Sequence, residues 1–176
     1  MRQLNYRPAP RTLRLWRPSS HQPRFTYGQI FTSYLCSFVG IAVLAYLTAY
    51  TGYPLIAAPF GATAVLVFAV PESPLAQPRN VIGGCVIGGV VCVACVSLFG
   101  TAPWVMALAV ATAIKLMQLT HTLHPPGGAV ALVGIMSNAS WDFVFTPVLT
   151  GAVLLVVCTV AFSHWMPDRP YPKHWF

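Results

Sequence analysis

Apolar stretches fill most of this 176-residue chain, and short polar or proline-rich segments separate them. Four stretches are long and almost free of charge: residues 29–50, 81–99, 104–120 and 145–165. At about 1.5 Å per residue, helices of these lengths approach or match a hydrocarbon core of about 30 Å. Two shorter apolar stretches, residues 54–70 and 126–136, contain proline and glycine near their start. The pattern predicts an all-α, polytopic membrane helical bundle with four long transmembrane helices and two short broken or re-entrant helices.

The composition agrees with a membrane location. The chain is 56% hydrophobic and 7% charged, whereas a soluble domain carries about 25% charged residues. The net charge is +7, and six arginines precede the first apolar stretch without any acidic residue. Because Lys and Arg concentrate on the cytoplasmic side of membrane proteins, both termini are predicted to be cytoplasmic and the number of crossings to be even.

These features divide the chain into three parts. Residues 1–26 form a basic, proline-rich cytoplasmic tail, residues 27–165 the transmembrane domain, and residues 166–176 a second cytoplasmic tail. The basic arm is expected to contact anionic lipid rather than nucleic acid. The predicted location is the bacterial inner, or plasma, membrane, with the lipid bilayer as the surrounding partner.

A break in the apolar pattern lies at residues 121–129, with the sequence HTLHPPGGA. Pro125 and Pro126 lack an N–H and clash with a preceding turn, so they end the helix before them. His124 precedes a proline and is predicted to be extended, while Pro126 is predicted to open a new helix. Such a break is tolerated only where protein packs around it or where it lines a watery cavity. The segment therefore indicates a binding or permeation site.

The break has an echo earlier in the chain. PFGATAVLV, from Pro59, aligns with PPGGAVALV, from Pro125, and the halves about 29–99 and 103–165 form a probable two-fold repeat. Matched interrupted helices in two halves point to the binding site of a transporter. Chance is the alternative, because Pro, Gly and Ala are common in membrane helices. The short segments either enter and leave on one face, giving four crossings, or cross obliquely, giving six.

The third apolar stretch is rich in glycine. Gly84 and Gly88 form a pair of small residues four positions apart, an arrangement that lets two helix backbones approach closely in a membrane. We therefore expect this face to pack against another helix of the bundle.

Hydrogen-bond donors rather than acids surround the two breaks. The predicted binding or pathway residues are His124, Gly127 and Gly128 at one tip, Gly61 and Ala62 at the other, and Lys115, Arg79, Asn80 and His121 as further donors. Helix N-termini carry partial positive charge and free N–H groups, so a polar hollow shared by both tips favours a small anion. Pro59, Pro125 and Pro126 are predicted to set the breaks without contacting the solute.

Each charged or polar candidate has a structural alternative. Lys115 lies on a polar stripe that faces the protein interior, or it extends toward the membrane surface. Arg79 pairs with Glu72, or it offers its planar donors to an oxyanion. Asn80 is placed to cap the third long helix. His124 lines the pathway, or it is a hydrogen-bonded structural group.

The five cysteines lie in apolar stretches without a spacing typical of disulfides. Cys92 and Cys95 have redox-motif spacing, so an intramembrane thiol or quinone oxidoreductase is the alternative from the enzyme class, although no nearby charge would activate either thiol. No catalytic residue or cofactor is predicted. No metal site is predicted either, because His121 and His124 have no acidic partner nearby.

The chain resembles the HPP family of integral membrane proteins. The resemblance rests on HPPGGA at 124–129, PFGATAVL at 59–66, SPLAQPRN at 73–80 and Gly83-Gly84, and it covers about residues 27–165. The resemblance implies a domain with four membrane spans. Plant members of the family are linked to nitrite transport across the chloroplast envelope. The family commonly has His after the Gly-Gly pair, where this chain has Cys85.

The pattern and the resemblance together predict a membrane transporter or channel, not an enzyme, for a small solute, and specifically for an inorganic anion such as nitrite. Besides the oxidoreductase, a non-transporting membrane scaffold subunit is an alternative. A homo-oligomer is expected, because so few helices shield a polar path poorly.

Overall fold

A computed structural model describes residues 24–52, 57–164 and 170–175, and all regular structure in these ranges is helical. The elements are α1 (Tyr27–Thr51), α2 (Pro59–Ala64) with a π-helical continuation (Val65–Ala69), a 3-10 turn (Pro74–Ala76), α3 (Pro78–Phe99), α4 (Pro103–Leu119), α5 (Pro125–Met136), α6 (Trp141–Phe143) with a π-helical continuation (Val144–Leu149), and α7 (Thr150–His164). The predicted all-α class is confirmed.

Within the described residues, three helical segments are long and apolar enough to cross a membrane, rather than the four predicted. They are Tyr27–Thr51, Pro78–Phe99 and Trp141–His164. The shorter apolar helices are Pro59–Ala69, Pro103–Leu119 and Pro125–Met136. The difference lies in α4, which has 17 residues because Pro103 begins it and the corner after Leu119 ends it.

Proline begins several of these helices. Pro59, Pro78, Pro103 and Pro125 each occupy the first turn, where the missing N–H costs no helical hydrogen bond. The new helix after the central break therefore starts at Pro125, one residue earlier than predicted. His124 precedes it with φ −140° and ψ 106°, which confirms the extended conformation.

The start of α3 corrects a second prediction. Because Pro78 opens the helix, Gln77 is the residue before the first turn, and Asn80 lies inside the helix rather than at its cap. The Asn80 side chain instead donates from Nδ2 to the carbonyl of Leu123, 2.9 Å away.

α3 lies at the centre of the bundle and contacts α4, α5 and the α6–α7 segment. It runs in the same direction as α5, since Gly84 lies beside His124 and Gly88 beside Gly127. A short turn at residues 100–102 reverses the chain between α3 and α4. Residues 120–140 therefore carry the chain from the end of the bundle where α4 finishes to the opposite end.

The first half of the chain behaves in the same way. Ser33, near the start of α1, donates to the carbonyl of Phe68 at the end of the α2 segment, 2.9 Å away, so these helices are antiparallel. Gly40 of α1 lies against Leu155 of α7, which also runs antiparallel to α1. In the described ranges, the successive helical segments α1, α2, α3, α4, α5 and α6–α7 thus alternate in direction along the bundle.

The closest helix contact is the crossing of α3 and α5. A Cβ atom on Gly127 would overlap the carbonyl group of Gly84, and one on Gly88 would overlap the carbonyl of Gly127. Further toward the C-terminal ends of the same two helices, a Cβ atom on Gly134 would overlap the Cys92 side chain. The predicted close packing of the Gly84–Gly88 face is confirmed, and α5 is the helix that it contacts.

We expect Gly127→Ala to destabilise the fold strongly, because the added methyl group meets rigid backbone. Overpacking of this kind costs about 1–3 kcal/mol or more, which should lower the midpoint of thermal unfolding in detergent by several degrees. The neighbouring Gly128→Ala is the matched control, since its nearest atom would be Val110 Cγ1 at 4.0 Å. Equal midpoints for the two variants would contradict the close crossing.

Candidate functional site

His124 lies between the two interrupted helices and is fully buried. Its Nδ1 is 2.8 Å from the carbonyl oxygen of Leu75, in the 3-10 turn before α3. Its Nε2 is 3.1 Å from the hydroxyl oxygen of Thr63, in the second turn of α2. The two proline-led helices therefore meet, and this imidazole joins them by a hydrogen bond.

These contacts determine where the ring proton lies. A carbonyl oxygen only accepts hydrogen bonds, so Nδ1 carries the proton that Leu75 receives. In the neutral ring Nε2 then accepts from the Thr63 hydroxyl. The carbonyl of Pro59 lies 3.4 Å from the same hydroxyl and offers it a second acceptor. By rotating its O–H, Thr63 can therefore serve either a neutral or a protonated imidazole.

Cys85 completes this polar cluster. Its thiol lies beside the Thr63 side chain and is buried. The position follows Gly84, where a Cβ atom would come within 2.6 Å of the His124 Cβ. We call Thr63, the Leu75 carbonyl, Cys85 and His124 the His124 junction. Of these four, Thr63 and Leu75 were missed by the sequence analysis; a single hydroxyl in the apolar PFGATAVL segment is the signal that marks Thr63.

The expectation of a shared polar hollow is wrong for this conformation. The tips meet, but the polar groups of one break satisfy those of the other, and His124 has no exposed surface. Among the described residues, every buried side-chain nitrogen and oxygen has a hydrogen-bond partner. The junction is thus a closed polar contact inside the bundle.

Besides His124, the four small residues predicted at the two tips do not line one shared site. Gly127 is buried in the crossing with α3, and Gly128 is half-buried beside Val110. Gly61 and Ala62 are exposed on the outer side of α2. Gly61 borders a groove of about 390 Å³ between α1 and α2, whose lining is mostly apolar.

Lys115 lies on the exposed face of α4. The buried face of that helix consists of small and apolar residues at four-residue spacing: Val105, Ala109, Ala113 and Met117. The prediction that the polar stripe of Lys115 faces the protein interior is therefore wrong for the single chain. The Lys115 side chain instead lies outside the packed bundle.

Arg79 and Asn80 hold the corner between α4 and α5. Arg79 donates from a terminal guanidinium nitrogen to the carbonyl of Thr120, 3.0 Å away, just beyond the end of α4. Asn80 binds the carbonyl of Leu123, so both side chains satisfy backbone acceptors that the helix break leaves free. Arg79 does not pair with Glu72, whose carboxylate lies 3.4 Å from the Lys173 ammonium instead.

An open cleft of about 310 Å³ lies over this corner. We call it the end cleft; it is lined by Pro74, Gln77, Arg79, Asn80, His121, His174 and Trp175. His121 is exposed and has a left-handed backbone, with φ 55°, which turns the chain between α4 and His124. Arg79, Asn80 and His121 are predicted from the sequence as donors, whereas the contribution of the C-terminal residues is not.

The C-terminal residues 170–175 pack on the bundle rather than forming a free tail. The Gln77 side chain accepts from the backbone N–H groups of Lys173 and His174, at 2.9 and 3.3 Å. The Nε2 amide group of Gln77 donates to the carbonyls of Pro71 and Ser73, both at 3.0 Å. Residues 1–23 of the predicted N-terminal tail and 165–169 of the C-terminal region lie outside the described residues.

Tyr171 anchors the same segment. Its hydroxyl donates to the carbonyl of Ala76 at 2.9 Å, and its N–H donates to the Ser163 hydroxyl at 2.7 Å. Burial raises the pKa of the Tyr171 phenol, so the donor stays protonated. The last turn of α7 and the start of α3 are therefore tied together at one end of the bundle.

The cysteines of the oxidoreductase alternative lie in the core. Cys92 is fully buried against Gly134, and its thiol donates to the carbonyl of Gly89, 3.0 Å away. All five cysteines are free thiols. The redox role remains an untested alternative.

Comparison with known proteins supports the membrane assignment. Residues 22–172 match the HPP, transmembrane region, family profile. Two transmembrane proteins of Dictyostelium discoideum are similar: one is 40% identical over 160 residues, covering 84% of this chain, and the other 36% identical over 174 residues, covering 92%. The chain spans 56% of the length of each of these relatives. No solved structure matches.

We expect Gln77→Leu to release residues 170–175, because it removes two acceptor and two donor contacts at once. Loss of such bonds should speed amide hydrogen exchange at Lys173 and His174 by roughly tenfold or more. Gln118→Leu, on the exposed face of α4, is the matched control and should leave this exchange unchanged. Unchanged protection in Gln77→Leu would contradict the anchoring role.

Proposed function

Because the chain belongs to the HPP transmembrane region family, we propose that it moves a small solute across the membrane, and that the solute is an inorganic anion such as nitrite. The observation that carries this proposal is the His124 junction. Two helices that begin with proline, at Pro59 and Pro125, meet there through an imidazole and a hydroxyl. Interrupted helices that meet around polar side chains are the usual setting of transporter binding sites.

The polarity of the surroundings supports an anion. Arg79, His121 and His174 line the end cleft, and the cleft has no acidic lining residue among those described. Glu72 lies at the same end but is paired with Lys173. The other described acid, Asp142, lies in α6 at the opposite end. A region with donors and without free carboxylates favours anions over cations.

The closed junction favours a gated carrier over an open channel. A solute can reach His124 only when the packing around it opens. If α2 withdraws, the bond between Nε2 and the Thr63 hydroxyl breaks and both groups become available to the solute. A hydrogen bond to the anion then replaces the lost one, which keeps the free-energy cost of opening small. Cys85, beside Thr63, adds a neutral wall to the site.

The remaining proposals concern the topology of the chain, its location and its oligomeric state. We propose that the chain crosses the membrane an even number of times, with both termini in the cytoplasm and the bacterial inner, or plasma, membrane as the location. Only 17% of the most apolar window of α1 is buried. We propose that the exposed surface of α1 contacts lipid on one part and a second copy of the chain on another, in a homo-oligomer.

One observation favours a second candidate function. The imidazole of His124 is fully buried with both nitrogens satisfied, as expected for a purely structural histidine. On that account the protein is a membrane scaffold subunit, and substitutions at the junction change stability without any solute flux to lose.

Reconstituted liposomes that contain a nitrite-sensitive dye separate the two functions. We expect the wild-type protein to admit nitrite well above empty liposomes, and Thr63→Val and His124→Gln to lower the rate by roughly tenfold, the equivalent of one charge-assisted hydrogen bond. Thr159→Val is the matched control, because this buried threonine donates only to Leu155 of its own helix. Each variant is first compared with wild type by gel filtration and thermal unfolding. Wild-type flux equal to that of empty liposomes across a panel of small anions would refute the transport proposal.

A further inference from the structure

We propose that the end cleft is a binding site for a phosphate group, and that the headgroup of an anionic membrane lipid supplies this group. The site is separate from the His124 junction, which is closed and buried. Its volume of about 310 Å³ holds more than a two- or three-atom anion, and it is open at the surface of the bundle.

Arg79 supplies the principal donors. One terminal nitrogen of its guanidinium is fixed 3.0 Å from the Thr120 carbonyl, and this bond orients the whole planar group. The remaining N–H groups of the exposed side chain stay available. A guanidinium presents paired donors that match the oxygen atoms of a phosphate, so a fixed and partly unused guanidinium is well suited to this ligand.

Two imidazoles complete the donor set from opposite parts of the chain. His121 comes from the α4–α5 corner, and His174 comes from the C-terminal segment that Gln77 holds in place. No hydrogen bond of either imidazole to another described residue is observed. The nearest described acid, Glu72, does not line the cleft and is paired with Lys173. The cleft therefore combines donors from three segments without a competing carboxylate.

The position of the cleft favours a lipid as the source of the phosphate. The cleft shares its end of the bundle with the start of α1, because Arg24 and Phe25 border Glu72 and Ser73. Phe25 and Tyr27 are exposed at this end, and Trp175 of the cleft is itself 55% exposed. Tryptophan prefers the headgroup level of a bilayer, where lipid phosphates lie.

The proposal is tested by equilibrium binding to the purified full chain in detergent. The probes are dihexanoyl phosphatidylglycerol, inorganic phosphate and dihexanoyl glycerol, which lacks a phosphate. We expect saturable binding of the phosphatidylglycerol to one site, and none of the dihexanoyl glycerol. Arg79→Gln should weaken this binding by roughly tenfold, since it removes the charge-assisted donors.

Two further variants separate binding from folding. His174→Gln removes a donor that comes from the C-terminal segment, and it should weaken binding severalfold even if Arg79→Gln proves unstable. Arg24→Gln is the matched control for charge at the same end and should leave binding unchanged. Binding that is equal in wild type, Arg79→Gln and His174→Gln would overturn the proposal.

The outcomes also distinguish the two sources of phosphate. If inorganic phosphate alone binds in an Arg79-dependent way, the site stands and the lipid source is overturned. Arg79-independent binding of every probe would identify nonspecific association and overturn the site. None of these measurements depends on solute flux, so transport and phosphate binding can fail separately.

Discussion

The imidazole of His124 joins three segments that lie far apart in the chain. Its partners, Thr63 and the carbonyl of Leu75, are 61 and 49 residues away. A helix break inside a bilayer leaves backbone and side-chain polar groups that water cannot satisfy, and each such group costs several kcal/mol if it stays unpaired. Here the polar groups of one break satisfy those of the other. The break at α5 is therefore stable only because the first half of the chain supplies its partners.

Close backbone packing makes that contact possible. The glycine crossing of α3 and α5 brings the start of α5 against the core of the bundle, where a side chain larger than hydrogen at Gly84 would collide with His124. Arg79 and Asn80 then hold the corner that leads into the break. The same corner, together with the C-terminal residues, forms an open cleft with donor groups. A buried junction and an exposed donor cleft thus arise from one structural solution to the interrupted helix.

The sequence predicts the local features of this arrangement and not its long-range contacts. Proline and glycine act on their immediate neighbours, so the extended His124 and the close-packing face are predictable, and the start of α5 is predictable to within one residue. The partners of His124 depend on the tertiary fold, and so does the direction of Lys115, since nothing in an almost uniformly apolar α4 marks which face packs. The sequence predicts a solute or Glu72 as the partner of the Arg79 guanidinium. Arg79 instead donates to a backbone carbonyl, because the end of α4 presents an acceptor within its reach.

The central claim is that α2 and α5 are coupled through Thr63 and His124, and a double-mutant cycle tests it most directly. The free energy of unfolding would be measured in detergent for wild type, Thr63→Val, His124→Gln and the double variant, with Thr159→Val combined with His124→Gln as a reference pair. The account predicts a coupling of about 1 kcal/mol or more for the first pair and additivity within about 0.5 kcal/mol for the reference pair. Additive effects of Thr63→Val and His124→Gln would contradict it.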